Sequence, residues 1–376
     1  EEFSLRTAVA NFPRPDLERA VEFAHRRNVR VYVACNTVPR NDEIERFSEY
    51  LQFLRRIEVD ALIVSDLGLF MMIRDECPDM EIHVSTQANI SNYADCLAWY
   101  RLGAKRVVLA RELSFDEIVQ IRQRIPDSLE IEAFVHGAMC VSHSGRCLLS
   151  NFMTGRDANR GNCAQACRWK YSIVEEKRPG QYMPVEETDT GTFIFNSKDL
   201  CMIEHIPELI DAGIDSFKIE GRMKTALYVA TVARTYRKAI DDYQKDPELY
   251  KKNMPWYLDQ ISNCTYRQFT TGFFFGKPSD EAQIYDNNTY VKEYTYLGIV
   301  GERNEEGLYR IEQRNKFSVG ESIEVMKPDG ANITVTVQRI VDEEGHDMES
   351  APHPKQVLYI DLGQPLAMYD ILRRKE

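Results

Sequence analysis

Short apolar segments rich in β-branched residues alternate with helical patterns between residues 30 and 220, and this alternation constrains the fold more than any other feature. Such repetition is typical of a parallel sheet whose strands are joined by crossover helices. Six strands are predicted, at residues 31–34, 61–64, 82–85, 106–109, 131–135 and 217–219. The sequence therefore predicts an α/β fold.

Polar residues follow each predicted strand, among them Gln87, Asn89, His136, Glu220 and Arg222. Because the βα loops of a (β/α) barrel gather on one face, these residues are candidates for a site at the carboxyl ends of the strands. A doubly wound sheet would gather them similarly. No glycine-rich phosphate loop follows any strand, so we predict a TIM-like (β/α) barrel.

Three regions are predicted along the chain. Residues 1–245 form the barrel, with a cysteine-rich insertion at 137–201, and residues 246–293 form a connector. Short alternating strands in 294–376 predict a small antiparallel β-barrel domain. An amphipathic helix at 225–243 is expected to pack on the barrel exterior.

The charge balance, 47 basic against 59 acidic residues for a net charge of −12, argues against a protein whose whole surface binds nucleic acid. No segment approaches the roughly 18 apolar residues of a transmembrane helix, and the first residues are too polar for a secretory signal. We therefore predict a cytoplasmic protein without membrane association. Because the chain begins at Glu1 and not at Met, we expect residues before it to be missing.

Five of the nine cysteines fall within 62 residues, and they are Cys140, Cys147, Cys163, Cys167 and Cys201. An odd count without a signal peptide is a poor fit to a disulfide framework. Converging thiolates select zinc or an iron-sulfur cluster, and the absence of two paired knuckles favours the cluster. Buried free thiols are the alternative. The single cysteines Cys35, Cys77, Cys96 and Cys264 are predicted to be core residues.

Residues 134–150, FVHGAMCVSHSGRCLLS, resemble the signature of a family historically known as collagenase-like peptidases of unclassified mechanism. The resemblance covers essentially the whole chain and includes residues 85–89, 107–112, 154–163, 167–170, 196–201 and 217–224. The chain looks most like the branch that hydroxylates the wobble uridine of tRNA to 5-hydroxyuridine in a prephenate-dependent, oxygen-independent way. Sister branches act on ribosomal RNA or on the ubiquinone ring.

The resemblance implies a 4Fe-4S cluster on Cys140, Cys147, Cys163 and Cys201, with Cys167 as a fifth candidate. It also implies prephenate as co-substrate, tRNA as substrate and a paralogous partner subunit. Relatives possess two βα units before the point where this chain begins, so an open barrel is expected here.

Candidate catalytic residues are His136, Lys218 and Glu220. His136 precedes Cys140 and is placed to donate a hydrogen bond to cluster or substrate; a structural histidine is the alternative. A charged residue on an apolar barrel strand is costly unless paired, so Lys218 is expected to pair with Glu220. A purely structural ion pair remains open.

Substrate contacts are predicted at two places. Arginine binds carboxylates in bidentate fashion, so Arg146 and Arg222 are the candidate clamps for prephenate, with Gln87 and Asn89 as hydrogen-bonding partners. For RNA, the candidate residues are Arg156, Arg160, Arg168, Trp169 and Lys170, with Trp169 available for base stacking.

The alternatives to an RNA hydroxylase are a peptidase and a non-catalytic RNA-binding protein. A peptidase would need a motif such as H-E-x-x-H or G-x-S-x-G, and the sequence has neither. A non-catalytic RNA-binding protein, in which zinc staples the cysteine-rich loop, fits the same cysteines.

Overall fold

The computed structural model describes residues 3–4, 11–140, 142–143, 146–169, 172–174, 182–184, 198–263, 268–276 and 294–376. It divides into two compact units, the first comprising Glu1–Met223 and Gln268–Asn288 and the second Lys224–Arg267 and Thr289–Glu376. The first boundary thus falls at Met223, ahead of the predicted limit at residue 245. The predicted connector is shared between both units.

The helices and strands follow in chain order. The helices are α1 (Arg14–His25), α2 (Asn41–Arg56), α3 (Leu67–Glu76), α4 (Tyr93–Leu102), α5 (Phe115–Arg122), α6 (Leu149–Thr154), α7 (Ile206–Asp211), α8 (Ala226–Lys245) and α9 (Pro247–Ser262). The strands of the first unit are β1 (Tyr32–Cys35), β2 (Ala61–Val64), β3 (Ile82–Val84), β4 (Arg106–Val108), β5 (Glu130–Ala138), β6 (Ser172–Val174), β7 (Tyr182–Pro184), β8 (Asp199–Cys201), β9 (Ser216–Ile219) and β10 (Phe269–Thr270). Those of the second unit are β11 (Tyr294–Arg303), β12 (Tyr309–Gln313), β13 (Phe317–Ser318), β14 (Ser322–Met326), β15 (Ile333–Thr336), β16 (Arg339–Val341), β17 (Asp347–Met348), β18 (Ser350–Ala351), β19 (Val357–Asp361) and β20 (Ile371–Lys375).

The first unit is built on a sheet in which β1 to β5 lie side by side and parallel, each joined to the next by a helix. Strand β9 continues this arrangement, parallel to β5. All six predicted strands are present, and the predicted α/β class is confirmed. Strand β8 pairs antiparallel with the end of β5, and the short β10 pairs with β8.

The two faces of this sheet differ in polarity. One face carries fully buried aliphatic side chains, such as Ile82, Val107 and Ile131. Side chains of successive strand residues point to opposite faces, so the residues between these lie on the other face. That second face carries charged side chains. On that charged face, the Arg106 guanidinium lies 3.0 Å from the Glu132 carboxylate. Both side chains are buried, and a buried charge is costly unless an opposite charge pairs with it.

The second unit is an antiparallel β domain, as predicted. Its main sheet has the order β15-β14-β20-β11-β12-β19-β16-β17 around a core that includes Leu297, Val300 and Phe317. Helix α8 belongs to this unit, where Leu227 packs against Met326 and Ile371. The sequence predicts helix α8 on the barrel exterior, but it groups with the β domain, where Leu227 is packed. Among the described residues, no helix is long and apolar enough to cross a membrane.

Candidate functional site

The pairing of β5 with β8 brings two of the predicted cysteine ligands to one end of the sheet. Cys201 stands opposite His136 in this ladder, and Asp199 stands opposite Ala138. Cys140 lies two residues beyond Ala138, where β5 has ended. The ladder therefore places Cys201 beside the last residues of β5, which lead into Cys140, although the two cysteines are 61 positions apart in sequence.

Cys147 and Cys163 lie in turns that their neighbours hold in place. The Asn159 side chain accepts a hydrogen bond from the Cys147 amide at 3.1 Å and donates one to the Cys147 carbonyl at 3.0 Å. The Gln165 amide donates to the Cys163 Sγ at 3.3 Å, with Gln165 at a φ of 56°. Backbone amides aimed at cysteine sulfurs are a common means of tuning metal-bound thiolates.

The thiols of Cys140, Cys147 and Cys163 are near one another. Surrounding protein atoms displace water from the Cys140 thiol and raise its pKa, although the residue as a whole is exposed. The thiols of Cys147 and Cys163 raise this pKa further, while the Ser142 amide and Arg111 oppose the rise. Three of the four predicted ligands are therefore neighbours beyond the end of β5, and the fourth, Cys201, lies on the strand paired with β5.

Among the described residues, the cysteines form no set of three ligand atoms within 4.8 Å of one another.

The remaining cysteines divide as follows. Cys35, Cys77 and Cys96 are buried, which confirms that they belong to the core. Burial raises the pKa of the Cys35 and Cys96 thiols to about 12, so both stay protonated at neutral pH. Cys167 lies half-buried in a 3-10 turn at Ala166–Arg168. Cys264 lies outside the described residues.

His136 is buried on β5, with its ring 5.6 Å from that of Phe269. Its carbonyl accepts a hydrogen bond from the Glu220 amide at 2.9 Å. The predicted catalytic residues His136 and Glu220 are thus brought together through their backbones, beside Cys201.

Gly137 permits this close approach. It has a φ of 118°, and a Cβ there would lie 2.4 Å from the Glu220 carbonyl oxygen. We predict that Gly137→Ala lowers the free energy of unfolding of the first unit by at least about 2 kcal/mol, through backbone strain and overlap together. Urea denaturation measures the loss.

Gly155→Ala is the matched control, because Gly155 has a φ of 71° and no neighbour within 4 Å of the added Cβ. It should cost only about 1 kcal/mol, the strain alone. Equal losses for both variants would refute the overlap with Glu220.

Lys218 pairs with Glu132 and not with Glu220, which corrects the predicted pair. The Lys218 Nζ donates to the Glu132 carboxylate at 2.6 Å, and Arg106 and the Ser216 hydroxyl bond the same carboxylate at 3.0 and 2.8 Å. Burial opposes charge on Glu132, yet Lys218, Ser216 and Arg106 together lower its pKa. Glu220 instead accepts a hydrogen bond from the Arg222 amide at 3.0 Å. The contacts of Lys218 are those of a structural ion network.

Three of the predicted substrate residues meet at the loop after β3. The Arg146 Nε donates to the Gln87 carbonyl at 2.9 Å, and no carboxylate pairs with Arg146 within the described ranges. The side-chain oxygens of Gln87 and Asn89 are buried and accept no hydrogen bond from any described residue. Arg222 is held elsewhere, by the Asn11 side chain at 2.8 Å.

The predicted RNA contacts are only partly available. Arg156 and Trp169 are exposed, but Arg160 pairs with Glu43 of α2 at 2.5 Å, so its predicted role in RNA binding is not supported. The Arg168 side chain and Lys170 lie outside the described residues.

Sequence reasoning missed Arg111, whose guanidinium lies 3.8 Å from the Phe134 ring centre and donates to the Ala138 carbonyl at 3.0 Å. Its position directly after β4 was the available signal.

Comparison with known proteins identifies relatives over the whole chain. The model of peptidase family U32 matches residues 1–284, and the model of the C-terminal domain of that family matches residues 292–373. The tRNA hydroxylation protein P1 of Bacillus subtilis is 38% identical over 375 residues, covering 100% of this chain and 88% of that protein. The tRNA hydroxylation protein P of Escherichia coli is 36% identical over 419 residues, covering 99% and 90%. The 23S rRNA 5-hydroxycytidine C2501 synthase of Escherichia coli is 38% identical over 226 residues, covering 60% and 33%.

Proposed function

The chain belongs to peptidase family U32, and we propose that it is a tRNA-modifying enzyme that hydroxylates C5 of the wobble uridine. The observation that carries the proposal is the grouping of Cys140, Cys147 and Cys163 beyond the end of β5, with Cys201 on the paired strand β8, in a chain whose full-length relatives are named tRNA hydroxylation proteins. The ribosomal RNA hydroxycytidine synthase extends the same type of reaction, hydroxylation of a pyrimidine, to another RNA. We propose a cytoplasmic location, since that is where such an enzyme meets tRNA.

The cofactor we propose is a 4Fe-4S cluster on Cys140, Cys147, Cys163 and Cys201. Four thiols are the usual ligands of such a cluster, and an amide hydrogen bond to the Cys163 sulfur suits a bound thiolate. The sequence also lacks the two paired knuckles that structural zinc sites use. When bound, a cluster supplies electron transfer, which no amino-acid side chain offers.

The co-substrate we propose is prephenate, a dicarboxylate. The Arg146 guanidinium is anchored on the Gln87 carbonyl through one nitrogen, which leaves its other two nitrogens to bind a carboxylate. The buried amide groups of Gln87 and Asn89 need hydrogen-bond partners, which the polar groups of such a ligand provide. His136 and Arg111 lie between this loop and the cysteines in strand order and would orient the substrates.

Nucleoside analysis of tRNA tests the function. A strain lacking the gene should lose 5-hydroxyuridine and its derivatives, and the wild-type gene should restore them. Unchanged nucleosides in the deletion strain would refute the assignment to tRNA. A protease assay on casein is the control for the peptidase alternative, which no described contact supports.

A further inference from the structure

Large apolar side chains stand exposed on the segments that carry the cysteines. Leu148 is 76% exposed, Phe152 85% and Trp169 46%. The Phe152 amide donates to the Leu148 carbonyl at 2.9 Å, so these two residues stand one turn apart on the same face of α6. Exposed apolar groups are ordinary when scattered singly, but a cluster of them marks a surface that binds something.

This surface adjoins the proposed cofactor ligands. Leu148 directly follows Cys147, and Trp169 follows Cys167 by two residues. Helix α6 lies against the 3-10 turn Ala166–Arg168, so the two segments are neighbours. We refer to Leu148, Phe152 and Trp169 together as the apolar platform.

The segment that carries the platform is basic, whereas the chain as a whole is acidic. Residues 142–169 contain four arginines, of which Arg160 is paired with Glu43, and one aspartate, in a chain with a net charge of −12. The single aspartate, Asp157, is occupied locally, because its carboxylate accepts the Asn159 amide at 2.9 Å. Arg156 is exposed beside the end of α6. A basic segment on an acidic protein complements a polyanion.

We propose that the apolar platform stacks the unpaired bases of an RNA loop, with Arg156 contacting the adjoining phosphates. Aromatic faces accept any base, and single-stranded RNA is recognised chiefly by such stacking. A base stacked on Phe152 lies one helical turn from Leu148, which directly follows Cys147, so the platform brings a loop nucleotide toward the cysteines. The proposal rests on the proposed function, since it names the surface by which that enzyme holds its RNA.

Binding of the full chain, with its cofactor content measured, tests the platform. The probes are a fluorescent RNA hairpin with a seven-nucleotide loop and a fully paired duplex of the same stem. Wild-type protein should prefer the hairpin, and Phe152→Ala should weaken hairpin binding by about 5- to 150-fold. Phe152→Tyr should retain affinity, while Phe152→Leu should bind as poorly as Phe152→Ala because it lacks an aromatic face.

Phe23→Ala on α1 is the matched control, since Phe23 is also exposed but lies on a segment without cysteines. Unchanged hairpin affinity for Phe152→Ala would overturn the platform while leaving the tRNA function intact. Full affinity in Phe152→Leu would overturn base stacking and indicate an apolar protein partner. Wild-type protein that binds neither RNA would overturn the platform, and the nucleoside analysis of tRNA would decide the proposed function separately.

Discussion

Replacing Cys147 with alanine is expected to abolish iron binding and to lower hydroxylation by at least about a hundredfold, since even the loss of a group that merely supports a metal ligand costs 10–100-fold. Its backbone is held by Asn159, and its thiol lies beside that of Cys140. Anaerobically purified wild-type protein should carry about four iron atoms per chain. Iron content and modified tRNA nucleosides are the measurements.

Cys96→Ala is the control for this experiment, because Cys96 is a buried core thiol on α4. It should keep its iron and its activity. Wild-type protein with stoichiometric zinc and no iron would contradict the cluster, and full activity in Cys147→Ala would remove the cysteines from the reaction.

Replacing Arg373 with methionine should lower the free energy of unfolding of the second unit by about 3–5 kcal/mol, because it leaves Glu324 partly buried and unpaired. Arg373 is fully buried on β20, bonds Glu324 at 2.5 Å and lies 4.3 Å from the ring centre of Tyr294. It also reaches Gln260 of α9 at 3.5 Å. One guanidinium therefore joins helix α9 to two strands.

The neighbouring Arg234 indicates how large the loss of stability in Arg373→Met should be within this range. Burial and the charge of Arg373 lower the pKa of Arg234 to about 10. Removing Arg373 relieves that repulsion, so the loss should lie near the lower limit. Thermal and urea unfolding measure it.

Two comparisons separate the ion pair from general damage. Arg310→Met, at an exposed position of β12, should change stability by less than about 0.5 kcal/mol. Adding Glu324→Leu to Arg373→Met should recover most of the loss, since an apolar pair of similar volume often replaces a buried ion pair without cost. A double variant no more stable than the single one would contradict this account.

Sequence predicts those elements of the fold whose own residues show a recognisable pattern. The six parallel strands are apolar runs that a period of two or continuous burial reveals. Strands β8 and β10 contain three and two residues, too few to show any period. Their location depends on what they pair with, which is a long-range property.

The same limit applies to the candidate site. The cysteines were identified by their spacing and surrounding motif, both of which are local. The partner of Lys218 is Glu132, 86 positions away, and that of Arg160 is Glu43, 117 positions away. A charged side chain pairs with whichever opposite charge the fold brings near it, and the sequence does not show that neighbour. For this reason the sequence predicts Glu220 as the partner of Lys218, and an RNA contact for Arg160.

The pairing of β8 with the end of β5 means that the candidate cysteines are held by two different kinds of contact. Cys201 is fixed by the interstrand ladder, opposite His136. Cys147 and Cys163 are held by local hydrogen bonds, from the Asn159 side chain and the Gln165 amide. A change that loosens the ladder should therefore displace Cys201 and leave the turn around Cys147 in place.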